Sequence, residues 1–245
     1  MSKNFELLQQ AGRGDFFNLP NPPNPISLDT PSALSLRREV PDTEIAKLAQ
    51  RLFSQKGAGC GPKAVSFSGI EHDNRSSWIC ARAGEALADQ VDASVCIVDA
   101  NLWSPQLHGH VTANSKTGLV DALAKEGPIR SFATPFCSGN LWLISAGAMK
   151  PGLRVPMERY RTRFKELREE FDYILISAPP LSHETEAILI AQLVDGIVLI
   201  IEANHSRREA VRRAKEQLES AHVPLLGAVL DQRTFPIPEK LYRRL

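Results

Sequence analysis

Apolar residues gather in six short runs along the chain, at residues 64–68, 95–99, 141–145, 173–177, 196–201 and 225–230. Val, Ile and Leu fill most of them without polar alternation, the pattern of strands buried on both faces of a parallel sheet. The stretches between them carry helical spacing. From Pro41 a helix is predicted, capped by Asp42, with Ile45, Leu48, Ala49, Leu52 and Phe53 on one face. Gly57, Gly59 and Gly61 break the chain after it. Further helices are predicted over residues 76–90, 157–170, 183–193 and 207–221. The last opens on a capping box from Ser206 to Glu209, and its Ala210, Ala214, Leu218 and Ala221 form a narrow stripe suited to packing on a sheet. Strands alternating with helices predict an α/β fold over about residues 60–235: a doubly wound, mostly parallel sheet flanked by helices.

The first 41 residues break this pattern. They hold six of the 17 prolines, and the run Asn18 to Pro25 fits neither a helix nor a central strand. Residues 1–41 therefore read as a Pro-rich, extended or disordered N-terminal arm, and residues 42–245 as the folded domain. The arm is either a tail lying on the surface or a docking segment for a partner. Phe5, Leu7, Leu8, Phe16 and Phe17 are unusual in an inert linker.

Composition narrows the classes. The chain has 245 residues, 43% hydrophobic and 23% charged, as in soluble globular proteins. Its net charge of +1 argues against a generally basic nucleic-acid binder, so no nucleic-acid partner is expected. No apolar run approaches the roughly 18 residues needed to span a bilayer, and the N-terminus lacks a charged-then-apolar signal region. A cytoplasmic protein is expected. Cys60, Cys80, Cys96 and Cys137 are scattered, so neither zinc nor a disulfide framework is predicted, and Cys80 and Cys96 read as small core residues. His72, His108 and His110 lie in loop-like stretches, where such spacing is common without a metal. Arg207, Arg208, Arg212, Arg213 and Lys215 are interleaved with Glu209, Glu216 and Glu219, which reads as a solvated helix face.

Ligands of open α/β sheets bind beyond the carboxyl ends of the strands. The first strand is followed by Ser68, Gly69, Ile70, Glu71, His72, Asp73, Asn74, Arg75, Ser76 and Ser77, then an apolar helix. A phosphate-binding loop reads Gly-x-x-x-x-Gly-Lys-Ser/Thr in this setting. Here the frame gives Gly69, four residues, Asn74, Arg75 and Ser76, so two of the four defining residues differ. Later strands end in Val98-Asp99-Ala100-Asn101, in Ile176-Ser177-Ala178-Pro179-Pro180 and in Val229-Leu230-Asp231. Taken in order, these segments resemble the bacterial tyrosine kinases of capsule and exopolysaccharide synthesis, part of the deviant-Walker group of P-loop ATPases. The resemblance covers about residues 42–235 and implies a P-loop NTPase-like fold. The stretch 118–147 is similar to the segment that family has between its second and third motifs.

Position by position, the resemblance places Gly69, Asn74, Arg75, Ser76 and Ser77 at a degenerate nucleotide site. His72 and Asn74 stand where family glycines curl backbone N–H groups around phosphates. Arg75 stands at the lysine and keeps its positive charge, although a planar fork is no compact point charge. Ser76 keeps a hydroxyl for magnesium. Asp99 matches the first aspartate of the second motif and is the candidate catalytic and magnesium-binding acid. Asn101 and Ser177 stand at lost acid positions. Asp231 replaces an asparagine that helps read adenine, and an ionised carboxylate only accepts hydrogen bonds. Of the tyrosines Tyr160, Tyr173 and Tyr242, Tyr242 alone lies near the end, which excludes the family's autophosphorylated tail cluster. Glu44, Lys47 and Gln50 keep part of a spacing used in ring assembly and leave a homo-oligomer open.

Two functions follow from the resemblance. One is a degenerate, non-catalytic homologue acting as a regulator or scaffold in exopolysaccharide or capsule biosynthesis. Its partner would be the cytoplasmic segment of a membrane polysaccharide-assembly protein, which would recruit it to the inner face of the membrane. The alternative is an active ATPase or protein-tyrosine kinase of the same pathway, using ATP and Mg through Arg75, Ser76 and Asp99.

Overall fold

The structure is a computed structural model that describes residues 42–53, 61–71, 75–102, 104–107, 117–136, 139–148, 155–182 and 184–232. The arm at 1–41, the side chain of Asp42, His72, Asn74, His108, His110, Cys60, Cys137 and Tyr242 lie outside the described residues.

The chain runs α1 (Asp42–Phe53), β1 (Ala64–Gly69), α2 (Arg75–Ala88), β2 (Val95–Asp99) and α3 (Leu119–Ala124). A 3-10 turn, Ile129–Phe132, leads into β3 (Thr134–Phe136) and β4 (Leu141–Ile144). There follow α4 (Met157–Glu170), β5 (Tyr173–Ser177), α5 (Glu184–Ala191), β6 (Gly196–Glu202), α6 (Arg208–Ser220) and β7 (Leu225–Asp231). Among the described residues seven strands form one sheet in the order β3-β4-β2-β5-β1-β6-β7. Every pairing is parallel except β3 with β4.

The unbroken apolar runs have the expected cause except at 225–230, where β7, expected to be buried on both faces, closes the sheet as an edge strand with Leu225 and Leu230 exposed. Every residue of β1 and of β2 is buried, because helices cover both faces. Alternate residues go to opposite layers. Val65, Phe67, Val95 and Ile97 pack under α1 and α2, with Ile45, Ala49, Ile79 and Leu87. Cys96, Val98, Ile174 and Ile176 face the other way, against Leu119 and Leu123 of α3 and Phe164 and Leu167 of α4. Ile197 and Leu199 of β6 meet Ala187 of α5 and Ala210, Ala214 and Leu218 of α6. Cys80 and Cys96 are buried free thiols. Gly84 lets α2 lie close on β2: a Cβ there would sit 2.5 Å from Ile97 Cδ1.

Two features of the local structure differ from the expected pattern. The short elements β3, α3 and the 3-10 turn fall within stretch 118–147, too brief to show a period. The capping box from Ser206 to Glu209 does not form, since Arg207 is the N-cap residue of α6 and makes no side-chain cap. Ser206 Oγ instead accepts from the Glu202 amide at 3.0 Å, and the Ser206 amide donates to Glu202 O at 2.9 Å. The serine closes the turn after β6 rather than opening the helix.

Candidate functional site

Because six strands run parallel, Gly69, Asp99, Ser177 and Asp231 all end at one edge of the sheet, and α2 starts there too. This is where open α/β sheets place ligands. The chain after β1 is tied down by its own backbone: Gly69 O accepts from Leu181 N at 3.0 Å and Ile70 O from Ser182 N at 3.1 Å. Ser68 Oγ donates to Pro179 O at 2.7 Å, fastening the end of β1 to the Pro179-Pro180 turn after β5.

Arg75, the first residue of α2, reaches across to Asp231, the last of β7. Its Nε donates to Oδ2 at 2.6 Å and its Nη2 to Oδ1 at 3.1 Å, a two-bond fork on one carboxylate. The pair is largely out of solvent, with side chains 14% and 1% exposed. The guanidinium also lies over the Trp78 ring, 4.7 Å from its centroid. Arg75 and Asp231, expected to serve phosphate and base separately, are thus bonded to each other. Trp78 is a participant that sequence reasoning missed. Its position three residues on from Arg75, on the same helix face, was the available signal.

The second junction joins Ser77 to Ser177. Their hydroxyl oxygens are 2.8 Å apart in a buried contact, and either is able to donate. Ser76 beside them is also buried. Asp99 is the register partner of Ser177 on the neighbouring strand. Its side chain turns into its own following loop: Oδ1 accepts from Asn101 N and Oδ2 from Leu107 N, both at 3.2 Å. Asn101 Oδ1 in turn accepts from Ser104 N at 3.3 Å. Burial raises the Asp99 carboxyl from an ordinary 3.8 to about 7, against the opposing pull of the Leu107, Asn101 and Gln106 backbone amides.

A magnesium ion wants several oxygen ligands and carboxylate charge. At the ends of β2 and β5 the one carboxylate, Asp99, is held by backbone amides and Ser177 offers a neutral hydroxyl bonded to Ser77, while the Asp231 carboxylate at the end of β7 is taken by Arg75. That donor set does not fit the ion. Among the described residues no group of three His, Cys, Asp or Glu is placed to hold a metal. A cavity of about 470 Å³ and a neighbouring one of about 220 Å³ lie along α6, where Arg213 and Gln217 line both. Neither is lined by Arg75, Asp99, Ser177 or Asp231.

No family model matches the chain. Its curated relatives are bacterial tyrosine-protein kinases. The tyrosine-protein kinase CpsD of Streptococcus agalactiae is 23% identical over 206 residues, covering 80% of this chain and 90% of the relative. Among solved structures, the chimerical protein CapA2B2 superposes with a TM-score of 0.70 at 18% identity, covering 82% of this chain and 88% of the other. The kinase domain of the Escherichia coli tyrosine kinase ETK gives 0.61 at 20% identity, covering 71% of each chain. The sheet order and helix layers above are therefore those of a P-loop NTPase-like domain.

Proposed function

We infer, for a homologue of the bacterial tyrosine-protein kinases, that this chain works without catalysing phosphoryl transfer, as a regulator or scaffold in exopolysaccharide or capsule biosynthesis. The observation that carries this reading is the Ser77–Ser177 hydroxyl contact. A catalytic acid and its metal would need charge at that point, since phosphoryl transfer relies on electrostatic stabilisation of the moving group. Asp99, the remaining acid, is committed to the amides of Asn101 and Leu107.

In this reading the folded domain presents its surface to the cytoplasmic segment of a membrane polysaccharide-assembly protein. The arm at residues 1–41 is a docking segment, and the chain acts at the inner face of the membrane. Among the described residues no helix is long and apolar enough to cross a membrane.

The test is magnesium-dependent ATP turnover by the full chain, alone and with such a segment. The expected result is turnover no greater than that of the Asp99→Ala variant. Turnover that Asp99→Ala abolishes would overturn the reading. It would favour the second one, an ATPase or protein-tyrosine kinase acting through Arg75, Ser76 and Asp99, which the kinase names of the relatives support.

A further inference from the structure

Arg75 and Asp231 lie 156 residues apart in sequence, and each is held in place independently of the other. Asp231 is fixed by the sheet: it is the register partner of Glu202, and its carbonyl accepts from Ala203 N at 2.9 Å. Arg75 is fixed by α2 and by the Trp78 ring beneath its guanidinium. The two meet through one edge of the guanidinium, Nε and Nη2, at both oxygens of a carboxylate that is 1% exposed.

A guanidinium edge binds carboxylate and phosphate oxygens in the same two-bond geometry. One edge serves one partner at a time, so a polyphosphate and Asp231 compete for it. We propose that the Arg75–Asp231 pair is an autoinhibitory latch, in which Asp231 holds the guanidinium that an arriving polyphosphate would otherwise draw to itself. The latch takes only its class of ligand from the second reading above, and it governs binding and not turnover. A closed latch lowers apparent affinity by the fraction of molecules in which it is open. It also fastens α2 to β7 without any ligand.

Calorimetric titration of the full chain with inorganic tripolyphosphate, without magnesium, tests this. Asp231→Asn keeps the shape of the side chain and removes its charge. It is expected to bind about tenfold more tightly than wild type, the gain for a latch open in about a tenth of molecules. The double variant Arg75→Ala with Asp231→Asn is expected to lose that gain. Asp231→Ser, which removes the carboxylate and leaves Arg75 intact, is expected to tighten binding as well, and it replaces Asp231→Asn should that variant not fold. Equal affinity of wild type and the single variants overturns the latch, as does a gain that persists without Arg75. ATP turnover is measured on the same samples. Turnover in the wild type sinks the non-catalytic reading and leaves the latch to the binding results alone.

Discussion

Asp99 shows how far burial changes one side chain. Its carboxyl is raised from 3.8 to about 7, chiefly by desolvation. The folded chain therefore holds this proton over a pH range in which the unfolded chain has lost it. The associated stabilisation is fully present below 3.8 and fades as pH rises through about 7. Asp99→Asn, which does not ionise, is expected to remove that contribution to the slope. Between pH 4 and pH 8 the difference in melting temperature between the two proteins should shift in favour of the variant. Parallel curves would show that Asp99 does not titrate in this range. The strand-end frame picks out Arg75, Asp99, Ser177 and Asp231 one at a time, since sequence order fixes which residue ends which strand. It is silent on their pairing. Arg75 with Asp231 and Ser77 with Ser177 are contacts across 156 and 100 residues, set by strand order and not by spacing.

At the scale of elements, α3 is the part least able to stand alone. Six residues are too few for a stable helix in isolation. Its far end is held by two arginines of α4. Arg163, 2% exposed, donates to Ala122 O at 2.7 Å and Gly127 O at 2.8 Å, and also to Lys125 O. Arg159 donates to Leu123 O at 3.1 Å. Carbonyls that the helix leaves without partners thus find cations, as favoured at a helix C-terminus. Arg163→Ala would strand these acceptors and unpair Glu166. A loss of about 1–3 kcal/mol is expected in denaturant unfolding, the range for leaving buried acceptors without a donor. A loss below about 1 kcal/mol would mean that water replaces the arginine. None of this is visible in the amphipathic pattern of residues 157–170, where Arg163 looks like a surface charge. Most of the six long strands were legible because two-sided burial leaves an uninterrupted apolar run; β7 carries such a run although it lies at the edge, with only Asp231 of its seven residues buried. β3 was not legible, since its three residues include Pro135 and sit half-covered on an edge strand.

At the scale of the whole molecule, protection should follow position in the sheet. β5 and β1 lie at the centre, while β3 and β7 form the edges. Leu225 and Leu230 on β7 are 41% and 51% exposed, whereas β1 is buried throughout. Native-state hydrogen exchange is expected to release the amides of β3 and β7 well before those of β1 and β5. Uniform exchange across the sheet would contradict that gradient. The same strand order bears on synthesis. Among the described strands β1 is the first to leave the ribosome, yet its neighbours begin only at Tyr173 and Gly196. The first parallel pair the growing chain is able to close is β2 with β4. Until β5 emerges, β1 has no strand to bond and its apolar faces lack their sheet neighbours. Non-local closure of this kind is slow and leaves sticky surface open. The nascent chain therefore carries its future centre bare through much of its translation, and it is there that a chaperone would find something to hold.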